Sequence, residues 1–214
     1  MNVKFKIMAA SFYVLVCVQD AYSSLDSALA FIRSKVHNDR RVTFEVAAHL
    51  MTERHVKTIV ETGTTRDKEG VFDSNGGFTV LFGYWSALHQ ADLYSVDINP
   101  VAVENARTML FPGSENNVHL IVNDSVHFLK NFDKPIDFLY LDSFDFDGNN
   151  PLPSQLHHLY EIEAAYDKLS PNAVVMIDDC GLVHGGKGEL VIYYLRQKGW
   201  RVYVTGYQII MVRK

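Results

Sequence analysis

The chain has 214 residues, 48% hydrophobic and 21% charged, and its 20 Lys and Arg against 25 Asp and Glu leave a net charge of −5. That balance excludes disorder, collagen and coiled coil, and a mildly acidic chain without a basic run argues against nucleic acid as the main partner. Cys17 and Cys180 make neither a disulfide framework nor a zinc site, and no stretch reaches the ~18–20 apolar residues of a membrane-spanning helix.

In chain order, Lys4 and Lys6 precede an apolar run from Ile7 to Val18, and Ala21-Tyr22-Ser23 has the small-x-small shape of a cleavage site. That is the layout of a secretory signal. The other reading of residues 1–23 is a strand or helix packed with Phe12, Val14 and Val16 buried. A cytoplasmic protein is favoured, and a secreted one follows if the segment is cleaved. Residues 24–214 read as one domain, with helices over 24–55 and a core over 57–214, about the size at which one core suffices. Leu25, Leu29, Ile32 and Val36 recur at helical spacing, and a second helix is expected over Phe44 to Met51.

From there the pattern changes to short β-branched runs alternating with helix-like segments. The runs are Thr58-Ile59-Val60, Leu93 to Val96, Val118 to Val122, Ile136 to Leu141 and Ala173 to Ile177. Near-continuous apolar strands between helices predict an α/β fold, a doubly wound parallel sheet covered on both faces. Trp200 to Thr205 and Gln208 to Val212 are strands joined through Gly206-Tyr207. So short a joint cannot hold a crossover helix, so these two run antiparallel. The stretch from Thr64 to Gly77, rich in Gly, Asp, Asn and Ser, reads as an insertion.

In a doubly wound sheet, ligands bind at the carboxyl ends of the strands. The first strand ends in Glu61-Thr62-Gly63-Thr64, where a glycine lets backbone approach a ligand. The second ends in Asp97, followed by Ile98-Asn99-Pro100, and an acidic side chain there can accept both hydroxyls of a ribose. The third is followed by Asn123-Asp124-Ser125, placed to read an adenine edge, although Asp124 also suits a helix cap.

These residues resemble those of the class I S-adenosylmethionine-dependent methyltransferases, over about Lys57 to Lys214. The resemblance implies a Rossmann-like seven-stranded sheet of order 3-2-1-4-5-7-6 with the last strand antiparallel. It also implies S-adenosylmethionine as cofactor, with Glu61, Gly63, Thr64, Asp97, Ile98, Asp124, Ser125 and Asp142 around it. Gly63 would lie under the methionine part, Asp97 would hold the ribose and Asp124 would meet the adenine. The family's glycine-rich turn keeps only its first glycine here, and Gly76-Gly77 stand beyond the insertion.

In that topology the fourth and fifth strands are neighbours, so Asp142 and the pair Asp178-Asp179 should converge. Three carboxylates together repel unless a cation or protons are held, and all-oxygen ligands favour magnesium, with calcium or manganese as the alternatives. The pattern is similar to that of the metal-dependent O-methyltransferases, which makes Asp142, Asp178 and Asp179 the expected metal ligands. Among the histidines, His157 and His158 are expected just before a helix, and His184 is the expected general base. Gly181 to Gly188 has the spacing of a phosphate loop. Gly188 stands where Ser or Thr would hold magnesium, so that reading fails. Lys187 remains as a group that attracts an anionic part of the substrate, with Arg66 opposite. Cys180 reads as a packed residue.

The function expected from this is divalent-metal-dependent methyl transfer to a hydroxyl of a small molecule, with a homo-oligomer left open. The rivals are metal-independent N- or C-methylation and a non-catalytic binding protein on the same fold. A nicotinamide dehydrogenase is disfavoured, because no Gly-x-Gly-x-x-Gly follows the first strand.

Overall fold

The structure, a computed structural model, describes residues 24–72 and 77–213; the expectations for residues 1–23 and for Gly76 lie outside them. Two helices, α1 (residues 24–35) and α2 (Arg40–Glu53), precede the sheet. The sheet's strands are β1 (Thr58–Thr62), β2 (Asp92–Asp97), β3 (Val118–Val122), β4 (Ile136–Leu141), β5 (Leu169–Ile177), β6 (Trp200–Val204) and β7 (Ile209–Arg213). Between them lie α3 (Phe78–His89), α4 (Pro100–Met109), α5 (Ser125–Asn131), α6 (Leu152–Ala165) and α7 (Glu189–Gln197). Among the described residues the strands pair in the order β3-β2-β1-β4-β5-β7-β6. β1 to β5 are parallel, and β7 is antiparallel to both of its neighbours. The doubly wound order and the reversed last strand are as expected.

Both faces are covered, which explains why the central strands carry apolar residues on each side. On one face α1, α2 and α3 pack on Ile59, Leu93, Phe138, Tyr140 and Met176. Phe78 stacks on both Phe82 and Tyr140 with ring centroids 4.2 Å apart, and Phe44 meets them edge-on. On the other face α5, α6 and α7 bring Leu129, Ile162, Val191 and Leu195 against Val60, Leu139, Leu141, Val175 and Ile177.

The register decides what meets at the rim. Thr62 pairs with Val96 and with Leu141, and Leu141 pairs with Ile177. Each strand's next residue therefore lies on one edge: Gly63, Asp97, Asp142 and Asp178. Backbone bonds carry the ladder one step further, from Gly63 N to Val96 O (2.8 Å), Asp142 N to Thr62 O (3.0 Å) and Asp178 N to Leu141 O (3.1 Å). Gly63 has φ +80°, and a Cβ there would stand 2.4 Å from the Asp142 carbonyl oxygen. Glycine is thus required by the sheet itself.

Three element boundaries differ from the sequence expectation. α2 begins at Arg40, four residues before Phe44. Its first buried positions are Arg40 and Thr43, polar side chains that a hydrophobic repeat does not register. α6 begins at Leu152 with a proline in its first turn, so Gln155, His157 and His158 lie inside it. β5 starts at Leu169 rather than Ala173 and runs through Pro171, with a register shift against β4.

Phe78 anchors the aromatic stack at 2% exposure. Phe78→Ala is expected to cost ~3–5 kcal/mol in urea unfolding; a loss below about 1 kcal/mol would contradict the packing described.

Candidate active site

The turn after β1 is held by hydroxyls. Thr79, in the first turn of α3, donates from Oγ1 to Glu61 Oε2 at 2.7 Å and accepts from Thr65 N at 2.9 Å. Ser95 Oγ donates to Thr64 Oγ1 at 2.9 Å, and Thr64 N donates to Asp97 Oδ2 at 3.1 Å. Glu61 is 1% exposed and reaches neither cavity described below. It was expected beside the cofactor; it sits beneath the turn instead, as the acceptor that fixes Thr79. Burial first, then the Asp97 charge, push its carboxyl up to about 8 against the hydrogen bond from Thr79.

Above the rim lie two joined cavities. The first, about 330 Å³, is lined by Gly63, Val96, Asp97, Ile98, Asp124, Ser125, Ser143, Phe144 and His157. Ile98 and Phe144 are 72% and 44% exposed, large apolar side chains left open at its walls. Asp124 caps α5 by accepting from His127 N at 2.7 Å, yet it also lines the cavity. Ser125 Oγ lies 3.1 Å from His157 Nε2, which is also 3.3 Å from the buried Glu161. Burial opposes a charge on His157, but Glu161 outweighs it and lifts the imidazole above its ordinary value.

The second cavity, about 160 Å³, shares Gly63, Asp97 and Ser143 with the first and is walled by charge: Arg40, Arg66, Asp142, Asp145, Asp178, Asp179 and Lys187, with Tyr207. Asp142, Asp178 and Asp179 converge as expected, each with a carboxylate oxygen within 4.8 Å of the others. They are not bare. Arg40 Nε lies 3.1 Å from both oxygens of Asp178, and its terminal nitrogen lies 2.8 Å from Asp178 Oδ2 and 3.2 Å from Asp179 Oδ1. Lys187 Nζ lies 2.6 Å from Asp142 Oδ1 and 3.1 Å from Asp179 Oδ2. The Tyr207 hydroxyl donates to Asp179 Oδ1 at 2.5 Å, and its ring lies 4.5 Å under the Arg40 guanidinium.

These contacts order the charges. Burial and then Asp178 hold Asp142 well above the carboxylate range, with Lys187 opposing. For Asp179 burial also pushes upward, but Lys187 and then Tyr207 bring it below its ordinary value. Burial lowers Lys187, and Asp142 and Asp179 more than restore it.

A divalent ion does not fit these residues as they stand. Among the described residues, Asp142 Oδ2 is the one oxygen of the three carboxylates without a cationic or hydroxyl partner. An ion bound to Asp142 and Asp179 would have to displace the ammonium of Lys187. The expected ligand set is therefore real as a cluster and already neutralised in large part.

Other expected residues fall elsewhere. His184 is exposed on the loop before α7, outside both cavities, so its imidazole is not positioned as a base. Lys187 is 2% exposed, buried among carboxylates and not offered to an anion. His158 is fully buried, bonded to Ser154 O at 2.7 Å, and burial lowers it to about 4. Arg66 pairs with Asp145 through two contacts of 2.8 and 3.1 Å at the cavity mouth. Cys180 is buried, its thiol pushed up by burial, as a packed residue. Arg40, Phe144 and Tyr207 escaped the sequence reading, because no repeat or spacing marks them.

A methyltransferase-domain family model matches residues 74–180, half of the chain. The chain belongs to the class I S-adenosylmethionine-dependent methyltransferases. Solved structures share the fold. A protein provisionally assigned as a caffeoyl-CoA O-methyltransferase from Staphylococcus aureus is 18% identical, with 96% of this chain and 100% of that one covered and a TM-score of 0.54. A provisionally assigned methyltransferase from Streptococcus mutans, in complex with SAH, is 16% identical (80% and 97% covered, TM-score 0.54). An rRNA methylase from Streptococcus thermophilus is 14% identical (79% and 95% covered, TM-score 0.52). No curated protein matches the chain at a significant level. Among the described residues no helix is long and apolar enough to cross a membrane.

The raised Glu61 carboxyl makes stability depend on pH. Unfolded, Glu61 titrates near 4.5; folded, near 8. Between these values the folded state holds a proton that the unfolded state has lost. The contribution is full below the lower value and is lost as pH rises through the upper one, at up to about 1.4 kcal/mol per pH unit. Urea unfolding across pH 4 to 9 should show this decline, and Glu61→Gln should remove it. An identical slope in the variant would contradict the assignment.

Proposed function

We propose that the chain transfers the methyl group of S-adenosylmethionine to a hydroxyl of a small molecule. One observation carries the reading: a nucleoside-sized apolar cavity and a charged one join at Gly63, Asp97 and Ser143, over the ends of β1, β2 and β4. The adenine would lie between Ile98 and Phe144, with Asp124, Ser125 and His157 at its edge. Asp97 would accept the ribose hydroxyls, and the methionine part would cross Gly63 and Thr64 into the charged cavity.

The donor carries its own leaving group, so the protein's work is alignment and removal of one proton. The methyl carbon leaves sulfur as it bonds to the acceptor oxygen in line. The hydroxyl proton passes to Asp142, whose Oδ2 is open and whose raised carboxyl suits a proton acceptor. No step is assigned to a metal. An acidic rim disfavours a phosphate backbone as acceptor. The second reading is a nitrogen acceptor, supported by five aspartates (97, 142, 145, 178 and 179) against Arg40, Arg66 and Lys187 at the charged cavity.

Calorimetry with SAH tests the cofactor site. Asp97→Ala should weaken binding by ~1.5–3 kcal/mol, the scale of lost hydrogen bonds to a charged group, with the circular-dichroism spectrum unchanged. Binding within twofold of the parent would overturn the assignment. Mass spectrometry of pooled hydroxyl and amine compounds with the enzyme and S-adenosylmethionine then reads the acceptor class as a gain of one methyl.

A further inference from the structure

We infer that Arg40 and Lys187 supply from within the chain the positive charge that a divalent ion would bring to Asp142, Asp178 and Asp179, so that the site works without metal. This rests on the methyltransferase reading of the same site, but its test requires no turnover.

Three clustered carboxylates, Asp178 buried and Asp142 and Asp179 half-buried, cannot stay together uncompensated. With all three ionised they carry −3, and Arg40 and Lys187 return +2. Lys187 bridges Asp142 and Asp179 at 2.6 and 3.1 Å. A hard divalent ion binds carboxylate oxygens at ~2.0–2.6 Å, so ion and ammonium compete for one position, and their like charges forbid sharing it.

The surrounding chain is shaped to deliver these two cations. The loop before α7 turns through Gly185 (φ 76°) and Gly186 (φ 58°), and a Cβ on Gly186 would stand 1.7 Å from the Asp179 carbonyl oxygen. Gln155 Nε2 grips the loop by donating to His184 O (2.9 Å) and Gly186 O (3.0 Å). The side chain that follows, Lys187, is thereby driven inward. Arg40 comes from the opposite end of the chain. One turn further along α2, the Thr43 hydroxyl bonds Gln208 Oε1, and Gln208 Nε2 donates to the Tyr140 hydroxyl at 2.8 Å. The helix start is thus tied to β4 and to the β6–β7 turn that carries Tyr207. Both cations are buried, so they act as positioning residues: they hold the aspartates, and the aspartates face the ligand.

The test is a titration of the intact chain with manganese(II), read by the electron paramagnetic resonance of the free ion, with and without SAH. The wild type is expected to leave the free-ion signal unchanged up to 1 mM, and to bind SAH with the same Kd, within twofold, in EDTA or in magnesium. Lys187→Met, which keeps length and removes charge, is expected to gain one manganese site per chain; a lysine that only filled space would create none. Stoichiometric manganese binding by the wild type, or a tenfold loss of SAH affinity in EDTA, would overturn the inference. A well-folded Lys187→Met that binds no manganese would overturn it too, and if that variant fails to fold, the wild-type titration decides alone. Absence of SAH binding under every condition would instead sink the methyltransferase reading.

Discussion

Carboxylates taken out of water must find countercharge, and the rim of this sheet is organised around that requirement. The parallel register lines up the last residue of β2 with the residues that follow β1, β4 and β5, which concentrates Asp97, Asp142 and Asp178 on one edge. What compensates Asp142, Asp178 and the adjoining Asp179 is a pair of cations from distant parts of the chain, Arg40 at the start of α2 and Lys187 in the turn before α7. The start of α2 is therefore part of the site and not an appendage to the sheet. Removing one partner of such a buried pair leaves a charge uncompensated, which is far costlier than never having had the pair.

The same rim separates two kinds of surface. Over β2 and β3 it is open and apolar, with Ile98 and Phe144 exposed; over β4 and β5 it is ionic and narrow. A sulfonium nucleoside has this same division, a flat heterocycle at one end and a zwitterion with a sulfonium at the other. The glycine-rich turn common in the family is reduced to Gly63, and the hydroxyls of Thr64, Thr79 and Ser95, with the backbone N–H of Thr65, hold the turn in its place above a buried Glu61.

Much of this was legible in the sequence because periodic burial writes itself into residue type. The alternation of apolar strands with helices, the reversed terminal pair and the acidic strand ends all follow from local pattern plus topology. What stayed hidden is what only topology creates. Arg40 sits on a helix start whose buried face is polar, so the hydrophobic repeat begins at Phe44 and passes over it. Tyr207 lies in a hairpin joint and Phe144 in a loop, where residue type carries no address. Lys187 carries a misleading signal: a lysine in a glycine-rich loop suggests an exposed anion site, whereas Gly186 packs against Asp179 and turns the side chain inward. Glu61 was likewise read as a ligand residue because it ends a strand, yet its position in the register points it beneath the turn.

The most direct test is a crystal structure of the complex with SAH grown in manganese chloride, with data collected at the manganese edge. The adenine is expected between Ile98 and Phe144, the ribose on Asp97, and the Lys187 ammonium between Asp142 and Asp179 with no anomalous peak in the cluster. A manganese peak ligated by those aspartates, or a nucleoside bound away from this rim, would contradict this arrangement.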